Sequence, residues 1–216
     1  SKGVVPILVG GSMLYVAAVL NTFEFPARDE ALRAQLEAEL DQHGSHELHR
    51  RLAQIDPDAA TRVDPANPRR VVRALEIVML TGEPFAAALP EVPDNWQPVL
   101  EIGLNSERAH LVQRLERRVE LMWQKGLLDE VEGLIPQGLR EGKTSSRAIG
   151  YAQALSQLDG LSTQGEAMAE TVRFTQRYAR RQMSWFRRDQ RIHWFDYQDA
   201  DYVPKALDLV HGWLAE

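Results

Sequence analysis

The chain has 216 residues, 44% hydrophobic and 26% charged, with a formal net charge of -6 and no cysteine. This length fits one large globular domain or one domain carrying a smaller insertion, and the absence of thiols excludes disulfides and thiolate chemistry. The acidic balance excludes nonspecific coating of nucleic acid, so any nucleic-acid site has to be local; nothing reads as a signal peptide or membrane span, and a cytoplasmic protein is expected.

Val4 to Val9 is an unbroken apolar run closed by Gly10-Gly11, the pattern of a strand buried on both faces of a parallel sheet. Such a strand needs neighbours on both sides, and only three residues precede it, so a truncated chain is expected. Ser12 to Leu20 reads as a helix with Ser12 as its N-cap. A strand, a glycine turn and a helix N-terminus aim backbone N–H groups and a hydroxyl above a sheet edge, although an ordinary βα turn has the same pattern.

From Phe23 to about Leu89 short amphipathic helices are expected, without strands. Leu32, Leu36 and Leu40 recur four apart, and Leu48, Leu52 and Ile55 follow at helical spacing. Asp56-Pro57 and Asn67-Pro68 each place a capping residue before a proline at the first helical position, the second opening a helix over 69–80 that Thr81-Gly82 stops. His43, His46 and His49 lie three apart, but Gly44 interrupts the helix and no carboxylate is placed to complete a metal site, so solvated histidines are expected.

Val99 to Leu104 alternates as a strand, and Ser106 opens a long helix through Gln124 that carries Arg114, Arg117 and Arg118. Helices are expected over Leu127 to Ile135, Ser146 to Leu158 and Gly165 to Arg188, then a strand over Ile192 to Phe195 and a last helix over Pro204 to Leu214. Gly138 to Thr144 reads GLREGKT, one residue short of a phosphate-loop motif and following a helix, so a surface loop is expected. The helix ending at Arg188 concentrates charge, with six arginines and no acid between Arg173 and Arg188. Arginine forks onto phosphate oxygens and stacks on bases, so this face suits anions; a solvated basic face backed by core aromatics Phe174, Tyr178 and Trp185 fits the pattern equally.

Four separated motifs, VPILVGGSMLY at Val5 to Tyr15, DPDAATRVDPANPRRVVRALEI at Asp56 to Ile77, SSRAIGY at Ser145 to Tyr151 and the RYARRQMSWFRR helix, together resemble the tRNA dimethylallyltransferases. The resemblance implies an α/β fold with a P-loop NTPase-like parallel-sheet core, incomplete at the N-terminus, over residues 1–22 and 89–216. It also implies an all-helical tRNA-binding insertion over 23–88. The implied reaction moves a dimethylallyl group from its diphosphate to N6 of the adenosine 3′ of the anticodon, with Mg²⁺ as cofactor but no metal ligand in this chain. The tRNA anticodon stem-loop and dimethylallyl diphosphate are the implied partners of a monomer that needs no membrane. The family's phosphate loop and base aspartate lie before the first residue here, so no product is expected from this chain alone.

By the same resemblance Ser12 stands at the threonine whose hydroxyl holds the adenine amine, while Met13 replaces a usual glycine. Arg118, with Arg177 and Arg181 of the basic helix, is assigned to the diphosphate, and Arg117 to solvent. Arg33, the segment Arg69, Arg70, Val71, Val72, Arg73, and the segment Arg147, Ala148, Ile149, Gly150, Tyr151, Ala152 are assigned to tRNA. Ala152 stands where some relatives have arginine. Two alternatives stay open: an adenylate isopentenyltransferase acting on free nucleotide, which the dedicated arginine-bearing block disfavours, and a noncatalytic helical RNA-binding module.

Overall fold

Helix caps and leucine spacing set out the first block of the computed structural model, which describes residues 4–22, 28–85 and 94–215. Helix α1 spans Met13–Leu20. Helix α2, Glu30–His43, begins where Asp29 accepts from Leu32 N at 2.7 Å and ends at Gly44, whose φ of 77° suits a residue without a side chain. Helix α3 covers Ser45–Ile55. Asp56 caps α4, Pro57–Arg62, and Asn67 caps α5, Pro68–Thr81, each with proline in the first turn. Leu36, Leu48, Leu52, Val63, Val71, Val72 and Leu75 form their shared core.

The two ends of this block are fastened to each other. Asn21 and Asn95 form an antiparallel bridge, Thr22 N donates to Asp94 O, and Trp96 donates from its backbone to Leu20 O and from its indole to Val19 O at 2.6 Å. The chain divides into a helical unit, Ala18–Gln97, and a second unit, Ser1–Ala17 with Pro98–Glu216. The expected domain boundaries near residues 23 and 88 lie outside the described residues.

In the second unit the described strands are β1, Glu101–Asn105, and β2, Ile192–Asp196, paired in parallel from Glu101 opposite Ile192 to Asn105 opposite Asp196. Gly103 is where β1 makes room for Trp194: a Cβ there would sit 2.6 Å from the indole. Helices α6, Arg108–Gln124, and α9, Gln164–Phe186, pack together. Thr163 and Glu166 close a reciprocal capping box at the start of α9. Helices α7, Leu127–Leu134, and α8, Tyr151–Leu158, share a small core of Leu127, Val131, Leu139, Ala154 and Leu155, and α10, Tyr202–Ala215, follows β2. This is a helix-rich α/β fold with a small parallel sheet. Among the described residues no helix is long and apolar enough to cross a membrane.

Three expectations need correction. Val4 to Val9 is neither strand nor buried: Val4, Ile7 and Val9 are 76%, 87% and 89% exposed. An apolar run becomes a strand only when neighbouring backbones complete its hydrogen bonds, and no described strand lies beside it. His49 is not solvated, because its Nε2 lies 3.0 Å from Ala60 O and 2.9 Å from Val63 O, tying α3 to the end of α4. The helix expected from Ser146 is broken instead into a 3-10 turn at Ser145–Arg147 and helix α8, separated by Gly150 with φ of 100°.

Candidate functional site

The glycine turn preceding α1 is anchored from a distant part of the chain. Gln182, on α9, donates from Nε2 to Gly11 O at 2.6 Å, across 171 residues of sequence. A Cβ at Gly11 would overlap that amide, so the absence of a side chain lets Gln182 dock. Ser12 follows, half-buried, with its carbonyl accepting from Val16 N at 2.9 Å in the first turn of α1. Arg181 precedes Gln182 on α9, so the turn that presents Ser12 is fastened beside the basic face. Nothing in the sequence pairs Gln182 with Gly11; no local pattern could have shown it.

Helix α9 is half-buried along Phe174, Tyr178 and Trp185, while Arg177, Arg180, Arg181, Arg187 and Arg188 are exposed. Arg173 is taken up by Glu170 at 2.8 Å, and Arg177 lies over the Phe174 ring at 5.8 Å. On α6, buried Val119 marks the inward face, and neighbouring Arg118 is exposed without an ion-pair partner among the described residues. Arg117 is exposed too, paired with Glu120 at 2.8 Å. The side chains assigned to the diphosphate, Arg118, Arg177 and Arg181, therefore sit with Ser12 in one unit, on two helices packed together and a turn bonded to one of them.

The arginines assigned to tRNA are divided in a way the sequence did not show. Val71 and Val72 are fully buried in the helical core, which keeps both side chains from reaching RNA; only arginines of the segment 69–73 face outward. Arg69 and Arg70 are exposed. Arg33 and Arg73 are partly buried and share an acid: Arg33 Nη1 lies 2.9 Å and Arg73 Nη1 2.7 Å from the same oxygen, Oε2 of Glu76, whose side chain is fully buried. Arg33 also reaches Glu37 at 3.2 Å. The other oxygen of Glu76 has no hydrogen-bond partner among the described residues. A lone acid between Leu75 and Ile77 on the apolar face of a helix was the signal that could have drawn attention to it.

The segment 147–152 is likewise divided. Arg147, Ala148 and Ile149 are exposed. Gly150 is buried, with a built Cβ 3.1 Å from Met122, and its N–H donates to Gln153, so it shapes the turn and cannot contribute a surface contact. Tyr151 donates its hydroxyl to Glu130, which holds that proton on and pushes the tyrosine pKa up. Ala152 is half-buried in the first turn of α8.

Two carboxylates depart from ordinary behaviour. Asp56 accepts from Ala59 N at 2.9 Å and Phe85 N at 2.7 Å, and these N–H groups hold its pKa below the usual range. Glu101, at the start of β1, is raised mainly by burial and then by Asp189; Arg191, 3.7 Å away, opposes the shift but is drawn closer to Asp189 at 2.5 Å. Among the described residues no group of three His, Asp or Glu side chains is arranged to hold a metal ion.

The model of a family described as IPP transferase matches residues 1–189. A protein of Thermobifida fusca named tRNA dimethylallyltransferase is 52% identical over 97% of this chain and 66% of its own length, so the chain spans just under two thirds of that relative. The crystal structure of the full-length tRNA isopentenylpyrophosphate transferase from Bacillus halodurans is 39% identical, with a TM-score of 0.56 over 94% of this chain and 64% of that one. A eukaryotic dimethylallyltransferase crystallised acting on tRNA, 23% identical, shares the fold with a TM-score of 0.78 over 99% of this chain and 58% of that one.

Proposed function

The chain belongs to the IPP transferase family, and on that premise we propose that it forms part of a tRNA dimethylallyltransferase. In the proposed reaction N6 of the adenosine 3′ of the anticodon attacks C1 of dimethylallyl diphosphate. The new N–C bond forms as the C–O bond breaks, diphosphate departs with the bonding pair, and N6 gives up one proton. The observation that carries the proposal is the Gln182 bond, which holds the Ser12 turn against the arginine-bearing helix. Ser12 is proposed to orient the amine through its hydroxyl. Arg118, Arg177 and Arg181 are proposed to neutralise the leaving diphosphate, an electrostatic task that guanidinium groups perform without reorganisation when already in place.

The parallel pair β1 and β2 is proposed to belong to a P-loop NTPase-like sheet, and residues 23–88 to serve as the tRNA-binding insertion. Within that insertion Arg33, Arg69, Arg70 and Arg73 are the proposed RNA contacts, joined by Arg147, Ala148, Ile149 and Tyr151 of the other unit. The target base has to leave its stack to be modified, which suits binding of an anticodon loop in place of a duplex. Mg²⁺ is proposed to accompany the diphosphate, where it would help neutralise the charge of the leaving group. The proposed setting is a cytoplasmic monomer.

The test separates the two sets of cations in the full-length protein. Arg69→Ala should weaken tRNA binding and flatten its salt dependence by about one ion for each phosphate no longer gripped, with the KM for dimethylallyl diphosphate unchanged. Arg118→Ala should raise that KM or lower kcat while leaving the salt slope intact. Ser12→Ala should lower kcat roughly ten- to a hundredfold at unchanged tRNA affinity. A salt slope flattened equally by Arg118→Ala, with normal kinetics in the diphosphate, moves α6 to the RNA surface.

A further inference from the structure

Glu76 is a fully buried carboxylate that binds two arginines through one oxygen and leaves the other without a hydrogen-bond partner among the described residues. A buried acid is costly unless paired, so its position on the apolar face of α5 demands an explanation. Capping and packing supply none: Asn67 caps α5, and Val71, Val72, Leu75 and Ile77 already fill the core around it. What the acid does accomplish is geometric. Arg33 comes from α2 and Arg73 from α5, and their guanidinium groups meet on a single oxygen, 23% and 29% exposed. Each guanidinium carries five donors; the bond to Glu76 uses one, and in Arg33 the Nε is also bonded to Glu37 at 3.2 Å.

We propose that Glu76 is a positioning residue that holds Arg33 and Arg73 as a preformed guanidinium pair for one phosphate group of the bound RNA. This rests on the assignment of the helical unit to tRNA. Two flexible arginines brought together free in solution lose rotamer freedom when they grip a phosphate; a pair fixed beforehand from beneath has already lost it. The sign of the effect distinguishes this role from simple electrostatics. Glu76 carries negative charge beneath the proposed phosphate site, so a purely Coulombic account has its removal tighten RNA binding. Positioning requires its removal to weaken binding although the site has become more positive.

The experiment measures binding of an anticodon stem-loop hairpin to the full-length protein as a function of salt, with circular dichroism to establish folding. Glu76→Gln, which keeps the shape and removes the charge, should weaken binding about five- to tenfold with the salt slope unchanged, because both cations remain. The same substitution is then made in two backgrounds. In Arg73→Lys, where the acid stays paired but the fork is gone, the loss should shrink. In Arg69→Ala, where an exposed arginine outside the pair is removed, it should persist in full. Tighter or unchanged binding in Glu76→Gln overturns the proposal. So does a loss of equal size in all backgrounds, since it would then act through folding alone. If the parent protein fails to bind the hairpin in a salt-dependent way, the tRNA assignment falls and this inference with it, whereas Glu76→Gln binding normally while Arg69→Ala binds weakly overturns the inference alone.

Discussion

The helical unit buries Leu36, Leu52, Val71 and Leu75 completely, while the paired strands of the second unit leave Ile102, Leu104 and Trp194 exposed at 39%, 55% and 36%. The difference follows from where each kind of structure finds its hydrogen bonds. A helix satisfies its backbone within its own segment and needs partners only for its apolar stripe, which α2, α3 and α5 provide for one another. A strand depends on neighbours for backbone and side chains alike, so a two-stranded sheet retains open apolar surface.

The sharpest way to break this contrast is to empty the helical core. Leu75→Ala should cost the helical unit about 2–5 kcal/mol, read from hydrogen exchange of its own amides, because the two units need not unfold together. Leu104→Ala on the exposed strand face should change stability by less than about 0.5 kcal/mol. A comparable loss at both sites would mean that the strand face is covered in solution.

The next largest effect belongs to the sheet itself. Gly103→Ala puts a methyl group 2.6 Å from the Trp194 ring and 2.8 Å from Ile192, so the strands or the indole have to shift, at about 1–3 kcal/mol. Changed Trp194 fluorescence in the folded variant would report that shift, and unaltered stability would show the strands to be more loosely seated than the register implies.

Asp56 sharpens the comparison through pH. Its carboxyl is held low by the N–H groups of Ala59 and Phe85, so the stability it contributes is complete above the unfolded value of about 3.9 and is lost as pH falls through the lower folded value. Asp56→Asn replaces one of the two accepting oxygens by an NH2 group, so it should cost about 1 kcal/mol at pH 7 and show a smaller loss on acidification, measured as the urea midpoint of the helical unit. Glu101 should behave oppositely and more weakly. Its pKa is raised, so its stabilising state is complete below about 4.3 and is lost as pH rises through the raised value. Glu101→Gln should raise the thermal midpoint at pH 7 and leave it unchanged below about pH 4.

The same contrast explains what was legible beforehand. Leucines four apart and the Asx-Pro pairs at residues 56 and 67 disclosed α2 to α5 because helix signals are local. The run Val4 to Val9 misled because composition describes a strand's side chains and says nothing of the partners its backbone requires. At the candidate site, the positions of the arginines were readable but their commitments were not. Arg33 is drawn to an acid 43 residues away, and the Ser12 turn is fastened by a glutamine 171 residues from Gly11. Charge can be counted along a chain; pairing belongs to the folded molecule.

The bridge between Asn21 and Asn95, with Trp96 bonded to Val19 and Leu20, brings the two ends of the helical unit side by side. To the rest of the polypeptide, such a module is equivalent to a short closed loop whatever its internal length. Closure entropy grows only logarithmically with the residues enclosed, so lengthening or shortening a helix inside it imposes almost no strain on the residues outside. The architecture thereby separates two rates of change, letting the helical unit gain, lose or exchange whole turns while the sequence on either side of the fastening keeps its geometry.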